Sequence, residues 1–105
     1  MIVIEKNPGR KIPYEVVGTK IVFDDDLTIN CAKRQGDEPV HDDICYDSRG
    51  QLVIGAAAGR QYVAEVDIPA MEYVLTNAEE GEDGEQLSPA PLDMDKVTLT
   101  LWAVE

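Results

Sequence analysis

Apolar side chains fall on alternate positions through most of this chain, and turn-forming residues break the alternation about every eight to twelve positions. That period belongs to half-buried strands. Ile2 and Ile4 begin the first one, and Asn7-Pro8-Gly9 ends it in a turn. Tyr14-Glu15-Val16-Val17 and Lys20-Ile21-Val22-Phe23 flank Gly18-Thr19, where glycine leading a two-residue loop predicts a type II′ hairpin. Beyond Asp24-Asp25-Asp26, a strand over 27–32 puts Leu27, Ile29 and Cys31 on one face, assigned to the core. Residues 33–41 are polar and read as a loop that contains His41. Ile44-Cys45-Tyr46 and residues 51–54 form a further hairpin around Ser48-Arg49-Gly50, with Gly50 suited to a left-handed conformation.

Residues 55–59, Gly-Ala-Ala-Ala-Gly, suit a loop or a short helical turn, because two glycines disfavour a longer helix. The strand over 61–68 follows, with Tyr62, Ala64, Val66 and Ile68 pointing one way and Val63, Glu65 and Asp67 the other. Pro69 ends it, since proline cannot donate to a ladder. Another strand covers 71–76. Residues 77–91 form a long acidic loop containing glycine and proline, and a last strand over 96–104 turns Val97, Leu99 and Leu101 inward and Thr98, Thr100 and Trp102 outward. With no amphipathic helix of ten residues, the expectation is one all-β domain over residues 1–105. Its form is an antiparallel β-sandwich or compact barrel of about eight strands.

A chain of 105 residues with 44% hydrophobic and 29% charged side chains can bury a core without disulfide or metal support. Cys31 and Cys45 are too few for a disulfide framework and read as thiols packed among apolar neighbours. Met1 opens directly onto strand-like alternation, and no apolar run approaches the roughly 18 residues that span a bilayer. A cytoplasmic location is therefore expected. The charge of −12 is unevenly spread. Residues 1–34 carry six bases against five acids, whereas residues 35–105 carry three against sixteen. Between positions 65 and 95 there are ten acids and no base. Such a surface repels phosphate, so direct binding of nucleic acid or of anionic membranes lacks its main source of affinity. A basic protein surface is the complementary partner.

The chemistry-bearing residues form no recognised set. Asp24-Asp25-Asp26, Asp37-Glu38, Asp42-Asp43 and Asp93-Met94-Asp95 lack calcium-loop spacing, and neighbouring aspartates on a strand point to opposite faces. They suit turns. Cys31, His41 and Cys45 are the only soft ligands, too widely spaced for a zinc pair. A Cys31–His41 or Cys45–His41 nucleophile pair, its ring oriented by Asp42 or Asp43, has no supporting motif. Gly55 to Arg60 is one residue short between its glycines for a phosphate loop and is followed by Gln61. No catalytic residue, cofactor or metal is assigned. The expected interaction surface is Trp102, if the outer face of its strand is open, together with the acids Glu79, Glu80, Glu82, Asp83 and Glu85; the alternative for Trp102 is a second core layer, since Val104 shares its face.

Ile68-Pro69-Ala70, the acidic loop, and Pro91-Leu92-Asp93-Met94-Asp95 ahead of Thr100-Leu101-Trp102 carry a likeness. In this carboxy-terminal third the chain resembles small uncharacterised proteins encoded in prophages. The resemblance implies a phage or mobile-element context, hence a virion as an alternative location, and carries over no site residue. The expectation is a non-enzymatic protein-binding or assembly module that engages a protein partner or a second copy. The alternatives are an acidic decoy for a nucleic-acid-binding protein and a lectin-like module using Tyr14, Tyr46, Tyr62, Tyr73 or Trp102. The decoy would bind with steep salt dependence, and the lectin would need an aromatic-lined pocket.

Overall fold

The structure, a computed structural model, describes residues 1–55, 61–77 and 85–104, with side chains described for 1–55, 61–74 and 87–104. The alternation of the sequence is realised as ten strands among these residues. They are β1 (Ile2–Glu5), β2 (Tyr14–Val17), β3 (Lys20–Phe23), β4 (Leu27–Asn30), β5 (Val40–Tyr46), β6 (Leu52–Ile54), β7 (Gln61–Ile68), β8 (Tyr73–Asn77), β9 (Glu85–Pro89) and β10 (Thr98–Leu101). One helical turn, α1 (Cys31–Arg34), and a 3₁₀ turn at Met94–Lys96 complete the described elements. The all-β class holds.

The strands form a five-stranded sheet in the order β1-β10-β7-β5-β6, a three-stranded sheet β2-β3-β4, and the hairpin β8-β9. None of these closes into a barrel among the described residues. Every pairing is antiparallel except β1 with β10, which runs parallel from Ile2↔Thr98 to Glu5↔Leu101. The two larger sheets bury their inner side chains in one cluster. Ile21, Phe23 and Ile29 come from the smaller sheet, and Ile44, Val63, Ala64, Val66, Ile68, Leu99 and Leu101 from the larger. Burying a side chain of this size contributes about 1.5–3 kcal/mol. An exposed ion pair contributes about 0–1. The shared core, not the charged surface, holds the sheets together.

Local sequence explains the connections. Gly18 has φ +62° while Thr19 stays out of the left-handed region, as a glycine-led type II′ turn requires. Asp24 and Asp25 both adopt left-handed φ in the loop between β3 and β4, which short polar side chains tolerate. Gly9, at φ +129°, lies where an added Cβ would meet the Ala103 Cβ at 2.8 Å, so the turn after β1 closes against the end of the chain.

Five expectations need correction. The last strand, expected over 96–104, spans only Thr98–Leu101, and Lys96 belongs to the 3₁₀ turn before it. The strand expected over 27–32 stops at Asn30, whose side chain caps α1 by accepting from the Lys33 N–H; Cys31 remains fully buried. The loop expected over 33–41 ends earlier, because β5 begins at Val40 and puts His41 on a strand. The acidic loop is shortened by β9, which pairs Tyr73↔Pro89 through Asn77↔Glu85. In β7 the alternation is broken: the register shifts between Ile44 and Cys45, so Val63 is buried and Tyr62 is exposed, the reverse of the expected pair. The loop or helical turn expected at residues 55–59 and the comparison with a phosphate loop fall, beyond Gly55, outside the described residues.

Candidate functional site

The outer face of the five-stranded sheet gathers most of the described polar chemistry. Side chains two apart on a strand share a face, and the pairing register aligns them in rows. One row runs Ile2, Thr98, Asp67, His41; the next runs Ile4, Thr100, Glu65, Asp43. His41, Asp43, Glu65 and Asp67 therefore form a square on two neighbouring strands, in which Asp43 directly opposes Glu65.

Contacts within the square are short. His41 Nδ1 lies 2.6 Å from Asp67 Oδ1, and His41 Nε2 lies 2.8 Å from Asp43 Oδ1 and 3.5 Å from Glu65 Oε1. Ionised carboxylates only accept hydrogen bonds, so an imidazole flanked by two of them is stabilised with both nitrogens protonated. The His41 pKa is raised accordingly, chiefly by the bond to Asp67; desolvation offsets part of that rise, and the bond to Asp43 adds to it.

Beside the square is an aromatic shelf. Trp102 continues the outward phase of β10 beyond Leu101, as the sequence predicts, and donates its indole N–H to Glu65 Oε2 at 2.6 Å. Its ring stacks on Tyr62 at 5.1 Å between centroids, and the Lys6 ammonium sits 5.5 Å from the indole centroid on the cation–π face. Trp102 is thus half-buried by polar and aromatic neighbours rather than lost in a core layer. Tyr14 lines a shallow groove with Pro13, Glu15 and Asp24, and the Tyr73 hydroxyl donates to Asp37 Oδ1 at 2.8 Å. Of the tyrosines considered for ligand stacking, Tyr62 is the one joined to Trp102.

The opposite face of β5 carries a second charged pair. Asp42 is 8% exposed, and its carboxylate accepts from Arg34 Nε at 2.5 Å and from Nη2 at 2.7 Å, a two-point bridge from α1. Neighbouring Asp42 and Asp43 thus serve different faces, as strand geometry requires. Neither cysteine joins His41. Cys31 is buried near the Arg34–Asp42 pair, and burial raises its thiol pKa. Cys45 is buried on the His41 side, where burial, then Asp43 and Glu65, raise its pKa as well. A nucleophilic cysteine needs the opposite shift. Both thiols are free.

Two further aspartates serve turns. Asp47 Oδ1 accepts from the Arg49 and Gln51 N–H groups, and Asp93 caps the 3₁₀ turn through the Asp95 N–H. Glu79, Glu80, Glu82 and Asp83 lie outside the described residues. Glu85 is described as backbone in β9.

A further feature is the apolar edge of the larger sheet. β1 is the edge strand, and Ile2, Val3 and Ile4 are 51%, 43% and 47% exposed. The N–H groups of Ile2 and Lys6 donate inward to Val97 O and Leu101 O. Period-2 geometry turns the backbone groups of Val3 and Glu5 to the open side. β2, the edge of the smaller sheet, likewise exposes Tyr14, Val16 and Val17. Among the described residues no helix is long and apolar enough to cross a membrane. Compared with known proteins, the chain matches no family model, no curated protein and no solved structure.

Proposed function

We propose that this protein is a non-enzymatic protein-binding module that adds an extended segment of a partner protein to the open edge of β1. The observation that carries the reading is the run Ile2-Val3-Ile4, exposed on both faces of an edge strand whose outward backbone groups have no strand to pair with among the described residues. An unprotected apolar edge is a template for strand addition, and native proteins usually blunt such edges with charge, proline or a cover. Lys6 and Trp102 extend the same surface on the outer face. The raised thiol pKa values and the engagement of His41 by carboxylates support a role other than nucleophilic catalysis. A phage or mobile-element assembly is the setting that the likeness of the carboxy-terminal third implies.

Val3→Pro tests the reading, because it removes an N–H that faces the open edge and leaves the inward bonds of Ile2 and Lys6 in place. The expected result is thermal unfolding close to that of the parent chain, with loss of the partner captured from native-host lysate, or of self-association seen by light scattering. Full retention of partners by Val3→Pro would overturn edge pairing. Capture that ignores Val3→Pro but collapses with salt would instead favour an acidic decoy, the reading that the charge imbalance supports.

A further inference from the structure

Three features of the outer sheet face converge on one missing component. First, the square is unbalanced in charge: Asp43, Glu65 and Asp67 bring three carboxylates against one imidazolium. Among the described residues, His41 is the only cationic side chain in ion-pair contact with them. Asp43 and Glu65 face each other in register, a placement that like charges oppose, and both are in ion-pair contact with the same imidazole nitrogen, His41 Nε2. Second, the donor atoms are of metal-ligating type and close together. His41 Nε2 and one carboxylate oxygen each from Asp43 and Glu65 all lie within 4.8 Å of one another. Third, each ligand is held from behind. Asp67 takes His41 Nδ1 and leaves Nε2 facing Asp43 and Glu65, while Trp102 takes Glu65 Oε2 and leaves Oε1 facing the imidazole. Carboxylate–imidazole pairing and a hydrogen-bonded ligand carboxylate are the outer-shell arrangement of metal sites.

From this geometry we infer that His41 Nε2, Asp43 and Glu65 form a site for a divalent first-row transition ion such as Zn²⁺, oriented by Asp67 and Trp102. Zinc bonds to nitrogen and to carboxylate oxygen at about 2.0–2.2 Å, which puts tetrahedral ligand atoms about 3.3–3.5 Å apart. The pair at 3.5 Å already fits. The pair at 2.8 Å is bridged by a proton and must open by about half an ångström, within reach of side-chain rotation. Binding replaces the Nε2 proton with the metal and releases that proton to solvent. Three protein ligands on an exposed face leave the fourth position to water. The imidazole donor favours zinc-like ions over calcium and magnesium, which take oxygen ligands. The inference is independent of strand addition at β1.

Trp102 is the only tryptophan in the chain and bonds directly to one ligand, so it reports on the site. Chelator-treated full-length protein is titrated with ZnCl₂ at neutral pH, following indole fluorescence and, in parallel, heat of binding. The expected result is a saturable change with one ion per chain and no comparable response to CaCl₂. His41→Ala should abolish the stoichiometric phase while circular dichroism stays unchanged. Asp67→Asn, which removes no ligand, should weaken binding about 10- to 100-fold. Should the variant not fold, chemical-shift mapping of the parent chain decides: Zn²⁺ must perturb His41, Asp43, Glu65 and the Trp102 indole before other acids. Equal affinity in His41→Ala, perturbation spread over the acidic surface, or no saturable binding would each overturn the site.

Discussion

Trp102 Nε1 donates to Glu65 Oε2 at 2.6 Å, tying the end of the chain to the middle of β7. The bond couples two things that would otherwise be separate, the aromatic shelf of Tyr62 and Trp102 and the charged square around His41. It also accounts for the half-buried state of an outward-facing tryptophan. The indole covers the sheet while its polar edge is satisfied by a carboxylate.

A double-mutant cycle measures that coupling. Glu65→Gln removes the charge of the acceptor but also relieves its opposition to Asp43, so its effect on stability alone is ambiguous in sign. Trp102→Phe keeps an aromatic ring over Tyr62 and removes the donor. The two changes should be non-additive, with a coupling energy of about 0.5–1.5 kcal/mol by urea denaturation. Strict additivity would show that the bond is not formed in solution.

The titration of His41 gives the second prediction. In metal-free protein the imidazolium faces Asp67 and Glu65 on β7 and Asp43 on its own strand, and its pKa is raised above the ordinary 6.5, chiefly by the bond to Asp67. A raised value means that the folded state binds the proton more tightly than the unfolded chain. The resulting stability is fully present below about pH 6.5 and is lost as pH rises through the folded value. With chelator present, NMR titration of the His41 ring should give a midpoint above 6.5. Asp67→Asn should lower that midpoint more than Asp43→Asn does. The reverse order would reassign the dominant contact to Nε2.

Much of this arrangement was legible in the residues, and the rest was hidden for identifiable reasons. The outward phase of Glu65, Asp67, Thr98, Thr100 and Trp102 follows from alternation alone. The partner row on β5 does not. There the inward position is Asp42, a charged residue that is buried only because Arg34 reaches it from α1, so the hydrophobic period fails where the functional side chains sit. Val40 and His41 consequently read as the end of the polar loop over 33–41. That His41 meets Asp67 rather than either cysteine depends on β5 pairing with β7, a long-range choice that no local pattern encodes. The bulge that exchanges Tyr62 and Val63 is similarly invisible to a strict period of two. β9 escapes for another reason: Leu87 and Pro89 are exposed, and the strand is defined by its ladder with β8 rather than by a buried face.

The Arg34–Asp42 bridge gives the last prediction, and it separates the role of a partner from the role of a charge. Asp42 is almost wholly buried, whereas the Arg34 side chain is 37% exposed, so the two ends of the bridge differ in what their loss leaves behind. Arg34→Ala strands a carboxylate in the inner layer without its two donors and should cost about 1–3 kcal/mol. Asp42→Ala leaves a guanidinium that can turn to water and should cost less. Replacing both, as Arg34→Met with Asp42→Leu, removes the stranded charge and fills the space with apolar groups. The double variant should recover most of the loss from Arg34→Ala, since a buried ion pair and a well-packed apolar pair are often close in stability. Urea denaturation of the three variants checks the order. If the double variant is instead the least stable, the bridge contributes specific packing of α1 against β5 beyond the neutralisation of Asp42.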